Sequence, residues 1–539
     1  MSEQPASANV ARFLGERALE RPDGHAVLAP MGREKNGDIR YEELSFAALH
    51  AQSDQVAHGM AGRGIRRGER VLLMVKPGSD LIRACFALFK LGAVPVVIDP
   101  GMGLRHFLQC VRRTRPEALL GIPLAQWISR LFPSAFKSVR QRVGVGRRFR
   151  NWYGGYPSRG LAIADPGPDE LAAILFTSGS TGPPKGVCYG HGQFDAQVRL
   201  IRDSFEIEPG EVDLPMLPIF ALFNPALGMT TVVPEINPGK PARAEPAPLL
   251  QAIDQCGVTN SFGSPVLWKK LALHLSRTGQ RFPRMRRILM AGAPVPPSLV
   301  RQLQPYFPNA RIWSPYGATE CLPVSAVEGQ TLLEVAAAKT TKGAGTCVGY
   351  PVAHVDVRII RIENRILEKL DETEVLPSGE IGEIIATGPT VTRAYDGLPE
   401  ATARAKIADG GRVWHRMGDA GYLDAAGRLW FCGRIAERVV TPEGPLYTDC
   451  CEGIFNTLPG VNRSALIGLG KAPRMEPAVV IEPEKGDAGP DEAAVLAKAA
   501  AHRITAPVKT VFYCREFPVD VRHNAKINRL ELARRYEKT

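Results

Sequence analysis

The chain has 539 residues, 45% apolar and 23% charged. That is the make-up of an ordinary soluble globular protein with roughly three or four domain-sized units. Its 67 Lys and Arg against 55 Asp and Glu leave a net charge of +12, which favours anionic ligands or surfaces without marking a nucleic-acid binder. Ten scattered cysteines with no Cys-x-x-Cys argue against a zinc site and for reduced thiols in a cytoplasm, and the first residues lack the basic-then-apolar pattern of a signal peptide.

Residues 1 to about 165 read as alternating helices and strands. Residues 46–63 have helical period, 70–75 read as a strand, and 80–91 as a helix ended by Gly92. The run that follows Gly92 reads as a buried strand. This βαβ rhythm predicts an α/β fold with a mostly parallel sheet covered by helices. Residues 118–164 contain no acidic residue but carry Arg130, Lys137, Arg140, Arg142, Arg147, Arg148, Arg150 and Arg159. Within them Leu124, Trp127, Ile128, Leu131 and Phe132 recur at helical spacing before Pro133. A basic amphipathic segment over 124–150 can lie on an anionic membrane or dock a partner, but a surface helix and loop whose apolar side packs on its own domain is the better reading. Trp127, Phe149 and Trp152 are too few aromatics for a nucleic-acid stacking surface.

The apolar run 171–176 has strand length and leads into Thr177, Ser178, Gly179, Ser180, Thr181 and Gly182, then two prolines and Lys185. Glycines let successive N–H groups face one point, hydroxyls add short donors, and the lysine adds a mobile charge, which together suit the β- and γ-phosphates of ATP. The order is not that of a Walker loop. Residues 214–234 are uncharged and long enough to span a membrane, but four prolines make pocket wall and loops the better reading. Phe220, Ala221, Phe223 and the later Phe262 are candidates to line an apolar pocket, although simple core fits any one of them.

The loop Ser178 to Gly186 resembles the phosphate loop of the adenylate-forming superfamily, which holds acyl-CoA synthetases, peptide-synthetase adenylation domains and luciferases. Tyr316-Gly-Ala-Thr-Glu320 resembles a defining motif of that superfamily, and Arg416-Met-Gly-Asp419, Gly433-Arg434 and a C-terminal stretch around Lys526 resemble others. The resemblance implies a large N-terminal domain of layered α/β subdomains (1–434) and a small mobile α/β lid (435–539). It implies ATP and Mg²⁺ as cofactors, with Gly292, Ala293, Tyr316 and Gly317 at the adenine, Thr319 at the α-phosphate and Glu320 on the metal. Asp419 would bind the ribose hydroxyls, Arg434 the ribose and phosphate side, and Lys526 would bridge the substrate carboxylate and the α-phosphate. His191 stands where relatives begin a helix and fits packing or capping. Three positions depart from the pattern: Ala221 replaces a gating histidine, Ala436 a hinge residue that is commonly Asp or Lys, and Ala525 a glycine. His523 is an added titratable group, a candidate to help deprotonate a substrate hydroxyl.

These residues fit activation of a carboxylate as an acyl-adenylate, a reaction that needs no Ser/His/Asp set because the carboxylate is itself the nucleophile. The ordering of motifs and their variants resembles the β-lactone synthetases of bacterial long-chain olefin biosynthesis. There a 2-alkyl-3-hydroxy fatty acid closes on itself, in an assembly with a hydrolase-fold partner and a reductase. The alternative is a medium- or long-chain fatty acyl-CoA synthetase, and a different class is a non-catalytic nucleotide- or acyl-binding relative.

Overall fold

A computed structural model describes residues 7–177, 183–217, 222–237, 243–519 and 526–537. Strands Leu171–Thr177, Val94–Val97, Arg70–Met74, Ala118–Gly121 and Gln141–Gly144 lie side by side, all parallel. Lys185–Gly190 and Ala394–Tyr395 extend this sheet on the other side as antiparallel strands. Helices cover both faces, which is why the central strands are continuous apolar runs rather than alternating ones. Helix Phe46–Gly62 packs on Ser79–Leu91, where the buried Lys90 Nζ meets Asp54 at 2.5 Å. Gly92 ends that second helix with φ +67, a conformation glycine adopts without a Cβ penalty.

The second sheet has fourteen strands among the described residues and is mixed rather than mostly parallel. Its parallel stretch runs through Val212–Pro215, Asn260–Gly263, Arg287–Met290 and Arg311–Ala318. Cys321–Glu328 then turns back antiparallel, and Arg412–Leu423 pairs antiparallel with Leu429–Arg434 further along.

Beyond Arg434 the strands form sheets of their own. A hairpin of Val439–Thr441 and Gly444–Leu446 precedes helix Thr448–Phe455 and a sheet of Val461–Leu469, Glu476–Pro483 and Thr510–Tyr513. Alternation decides the packing of that sheet. Leu466, Val479 and Ile481 point into one core with Phe455, while Ala465, Ile467 and Val480 point into another with Phe517 and Leu532. Where this part meets the large sheet, Gly433 has φ +135, and a Cβ on it would lie within bonding collision of Thr448 Oγ1. Thr346 Oγ1 donates to Asp449 Oδ1 at 3.2 Å across the same seam. Among the described residues no helix is long and apolar enough to cross a membrane.

Candidate active site

Thr319 and Glu320 occupy the turn between strands Arg311–Ala318 and Cys321–Glu328. The turn can be tight because Gly317 has no side chain: a Cβ there would stand 2.7 Å from the Cys321 carbonyl oxygen. Glu320 is therefore presented by a hairpin and not by a helix end. Its Oε1 accepts a hydrogen bond from the Tyr395 hydroxyl at 2.7 Å. Its carbonyl accepts from Thr392 N at 2.9 Å and Thr392 Oγ1 at 3.1 Å. The Tyr189 hydroxyl donates to the Thr319 carbonyl.

Tyr395 ties this turn to the end of the glycine-rich loop. Its short strand pairs with Lys185–Gly190, and Asp396 N donates to the Gly186 carbonyl at 2.8 Å. Lys185 Nζ lies 4.9 Å from the centroid of the Tyr395 ring, a cation–π distance. One tyrosine thus holds the lysine with its face and the glutamate with its hydroxyl. Thr177 closes strand Leu171–Thr177 opposite Lys185. Ser178, Gly179, Ser180, Thr181, Gly182, Phe220, Ala221 and His523 lie outside the described residues.

The register of the next hairpin puts Asp419 across from Arg434. Asp419 is 2% exposed, with Oδ1 2.8 Å from Arg434 Nη1 and Oδ2 accepting from the Tyr316 hydroxyl at 2.6 Å. Oδ1 has charge contact with the guanidinium but no directed hydrogen bond among the described residues. A buried carboxylate oxygen in that state is suited to accept from a hydroxyl brought by a ligand. Burial pushes the Asp419 carboxyl up, opposed by Arg434, then Tyr316, then Lys526. Burial and the Asp419 charge keep the Tyr316 phenol protonated, so it stays a donor.

Lys526 comes from the far end of the chain. Val519 bridges to Ile527 and Asn528 N donates to the Pro518 carbonyl at 2.8 Å, a fold-back that brings the Lys526 charge to bear on Asp419. Arg529, three residues on, faces away: it pairs with Glu452 at 2.6 Å and Glu437 at 2.9 Å, which anchors the terminal helix.

Two basic residues escaped the sequence reading. Lys406 faces His415 across a strand pair, and its Nζ lies 3.4 Å from Thr392 Oγ1, the group bound to the Glu320 carbonyl. Burial pulls the Lys406 ammonium down to about 8, against the attraction of Glu320. Burial and then the Lys406 charge hold His415 neutral, with Nδ1 3.1 Å from the Ala405 carbonyl. Lys185, Lys406, Arg434 and Lys526 outnumber Glu320 and Asp419, so the site carries a positive field suited to a polyphosphate.

The aromatic candidates are packed. Phe223 contacts Phe194 at 5.6 Å, and Phe194 stacks on Tyr189 at 4.7 Å, beside Thr319. Phe262 is buried on the strand before Gly263, whose carbonyl accepts from Ala291 N at 3.1 Å. That bond seats the turn of Gly292 (φ +96) and Ala293 at the same edge of the sheet. His191 opens helix His191–Ser204 and is buried, pulled down to about 4 by desolvation, in keeping with packing.

The AMP-binding enzyme family matches residues 14–396. The chain is 47% identical to the olefin beta-lactone synthetase of Xanthomonas campestris pv. campestris, covering 97% of each. It is 48% identical to the olefin beta-lactone synthetase of Stenotrophomonas maltophilia, again over 97% of each. The solved structure of ATP-bound MatB from Rhodopseudomonas palustris has the same fold, with a TM-score of 0.80 at 22% identity over 98% of this chain and 99% of that one.

Proposed function

We propose that this chain, which belongs to the AMP-binding enzyme family, is an ATP-dependent ligase that activates a 2-alkyl-3-hydroxy fatty acid and closes it to a β-lactone. The observation that carries the reading is the convergence of Lys526 on the Asp419–Arg434 pair in a chain matching two olefin beta-lactone synthetases end to end. In the first step a carboxylate oxygen of the acid bonds to the α-phosphorus of ATP and the bond to pyrophosphate breaks. Both reactants are anions. Lys526 and Arg434 offset that repulsion on the ribose and α-phosphate side, and Lys185 and the loop amides hold the departing phosphates. Asp419 accepts from the ribose hydroxyls through the oxygen that lacks a directed partner.

Among the described residues no three metal-ligating side chains cluster. Mg²⁺ would take Glu320 as a protein carboxylate and fill its shell with phosphate oxygens and water. Bound there, it would supply charge that offsets the negative phosphates as the bond at the α-phosphorus changes. Tyr395 fixes the carboxylate it would use.

In the second step the β-hydroxyl oxygen attacks the acyl carbon, the bond to AMP breaks with its electron pair leaving on AMP, and the hydroxyl proton passes to solvent. The four-membered ring is strained, so alignment must supply much of the rate; effective molarities of about 10⁵–10⁸ M are attainable. The chain needs no thiol acceptor for this.

The test is product analysis with ATP, Mg²⁺ and a 2-alkyl-3-hydroxy fatty acid, with and without coenzyme A. Lactone, AMP and pyrophosphate formed without coenzyme A are expected; a thioester formed only with it would make the chain an acyl-CoA synthetase instead. Lys526→Ala and Glu320→Gln are each expected to slow substrate-dependent pyrophosphate exchange by about 10²-fold or more. Full exchange in either variant overturns the adenylation chemistry.

A further inference from the structure

Helix Pro123–Leu131 turns its small, polar face inward. Ala125, Gln126 and Ser129 are buried, and Gln126 Nε2 donates to the carbonyls of Gly121 at 3.2 Å and Val143 at 2.9 Å, pinning the helix to the edge of the seven-stranded sheet. Ile128 and Phe132 pack on the core beneath, whereas Leu124, Trp127 and Leu131 face out, 62%, 64% and 55% exposed. Their spacing of three and four sets them in one stripe. Leu104, also half exposed, opens helix Leu104–Thr114, which shares the same underlying core. Single solvated leucines are ordinary, but a stripe containing a tryptophan calls for a cover.

Charge says what the cover is. Arg130 is exposed beside the stripe. Gly146 packs against Pro123, where a Cβ would stand 3.9 Å from the proline ring, so Arg147 and Arg148 follow at the start of the helix. Arg140 and Arg150 pair with Glu69 and Glu42, but among the described residues no carboxylate pairs with Arg130, Lys137, Arg147 or Arg148. Protein partners commonly meet charges of both signs, whereas residues 118–164 offer one sign only.

We propose that this face docks on a bilayer surface bearing anionic headgroups. Leu124, Trp127 and Leu131 enter the boundary between headgroups and acyl chains, and Arg130, Arg147 and Arg148 meet the lipid phosphates.

The full-length protein is sedimented with phosphatidylcholine vesicles that do or do not contain phosphatidylglycerol. Binding to the anionic vesicles alone is expected, weakening with added salt. A Leu124→Ser/Trp127→Ser pair and an Arg147→Glu/Arg148→Glu pair are each expected to lower partitioning on the order of tenfold or more. Leu273→Ser, at a position 65% exposed on another helix, leaves it unchanged. Pyrophosphate exchange in the absence of vesicles checks that every variant is folded. Failure to bind anionic vesicles, or variants that bind as the parent does, overturns the proposal, even if an acidic protein is then found on this face.

Discussion

Tyr395 gives the site its most specific single contact. Its hydroxyl fixes Glu320 at 2.7 Å while its ring faces Lys185. Tyr395→Phe keeps the ring and removes only the donor, so Lys185 stays placed and the carboxylate loses its hold. A hydrogen bond to a charged group is worth about 1.5–3 kcal/mol. Exchange of pyrophosphate at saturating ATP is expected to fall roughly tenfold, with a higher half-saturating Mg²⁺ concentration; an unchanged Mg²⁺ titration would assign Tyr395 to scaffold alone. The sequence does not reveal this role, because nothing local tells a strand tyrosine that packs from one that points a hydroxyl at a distant carboxylate. Lys406 was less legible still. It carries no motif, and its burial comes only from the strand pair that sets it opposite His415. Glu320, Asp419, Arg434 and Lys526 could be singled out as candidates because each sits in a stretch that resembles a superfamily motif.

The helix Thr448–Phe455 carries a pH-sensitive group at the seam with the large sheet. Asp449 accepts from Thr346, and burial, then Glu452, push its carboxyl up to about 7 despite Arg529. The folded chain therefore keeps a proton that the unfolded chain releases near pH 4. This contribution to stability is complete below that value and is lost as pH rises to about 7. Asp449→Asn makes the group neutral at every pH. The variant is expected to melt higher than the parent at pH 8, by at most about 4 kcal/mol in stability, with the advantage shrinking toward pH 5. Equal pH slopes for the two melting curves would contradict this. At this scale the boundaries read from pattern held well: helices at Phe46–Gly62 and Ser79–Leu91 and the strand Arg70–Met74 fall where periodicity put them. The sequence favours an apolar side of helix Pro123–Leu131 packed on its own domain, and only part of it packs, because period identifies an apolar stripe but not which way it faces. The buried bonds of Gln126 decided it.

For the molecule as a whole, the parallel sheet was foreseeable from its βαβ rhythm. The mixed sheet was not, since its antiparallel pairs join strands as distant as Thr346–Pro351 and Leu429–Arg434. Nor can local spacing show that the chain's last segment returns to the site of Asp419. That return depends on how the part beyond Arg434 seats, and Gly433 is a point where any side chain would collide with it. A larger residue there would collide with Thr448 and wedge the two parts apart, leaving Lys185, Tyr316 and Glu320 of the larger part in place. Gly433→Val should accordingly retain ATP in a binding assay yet turn nothing over, separating the capture of fuel from its combustion; a fully active valine variant would mean that some other arrangement of the two parts does the work.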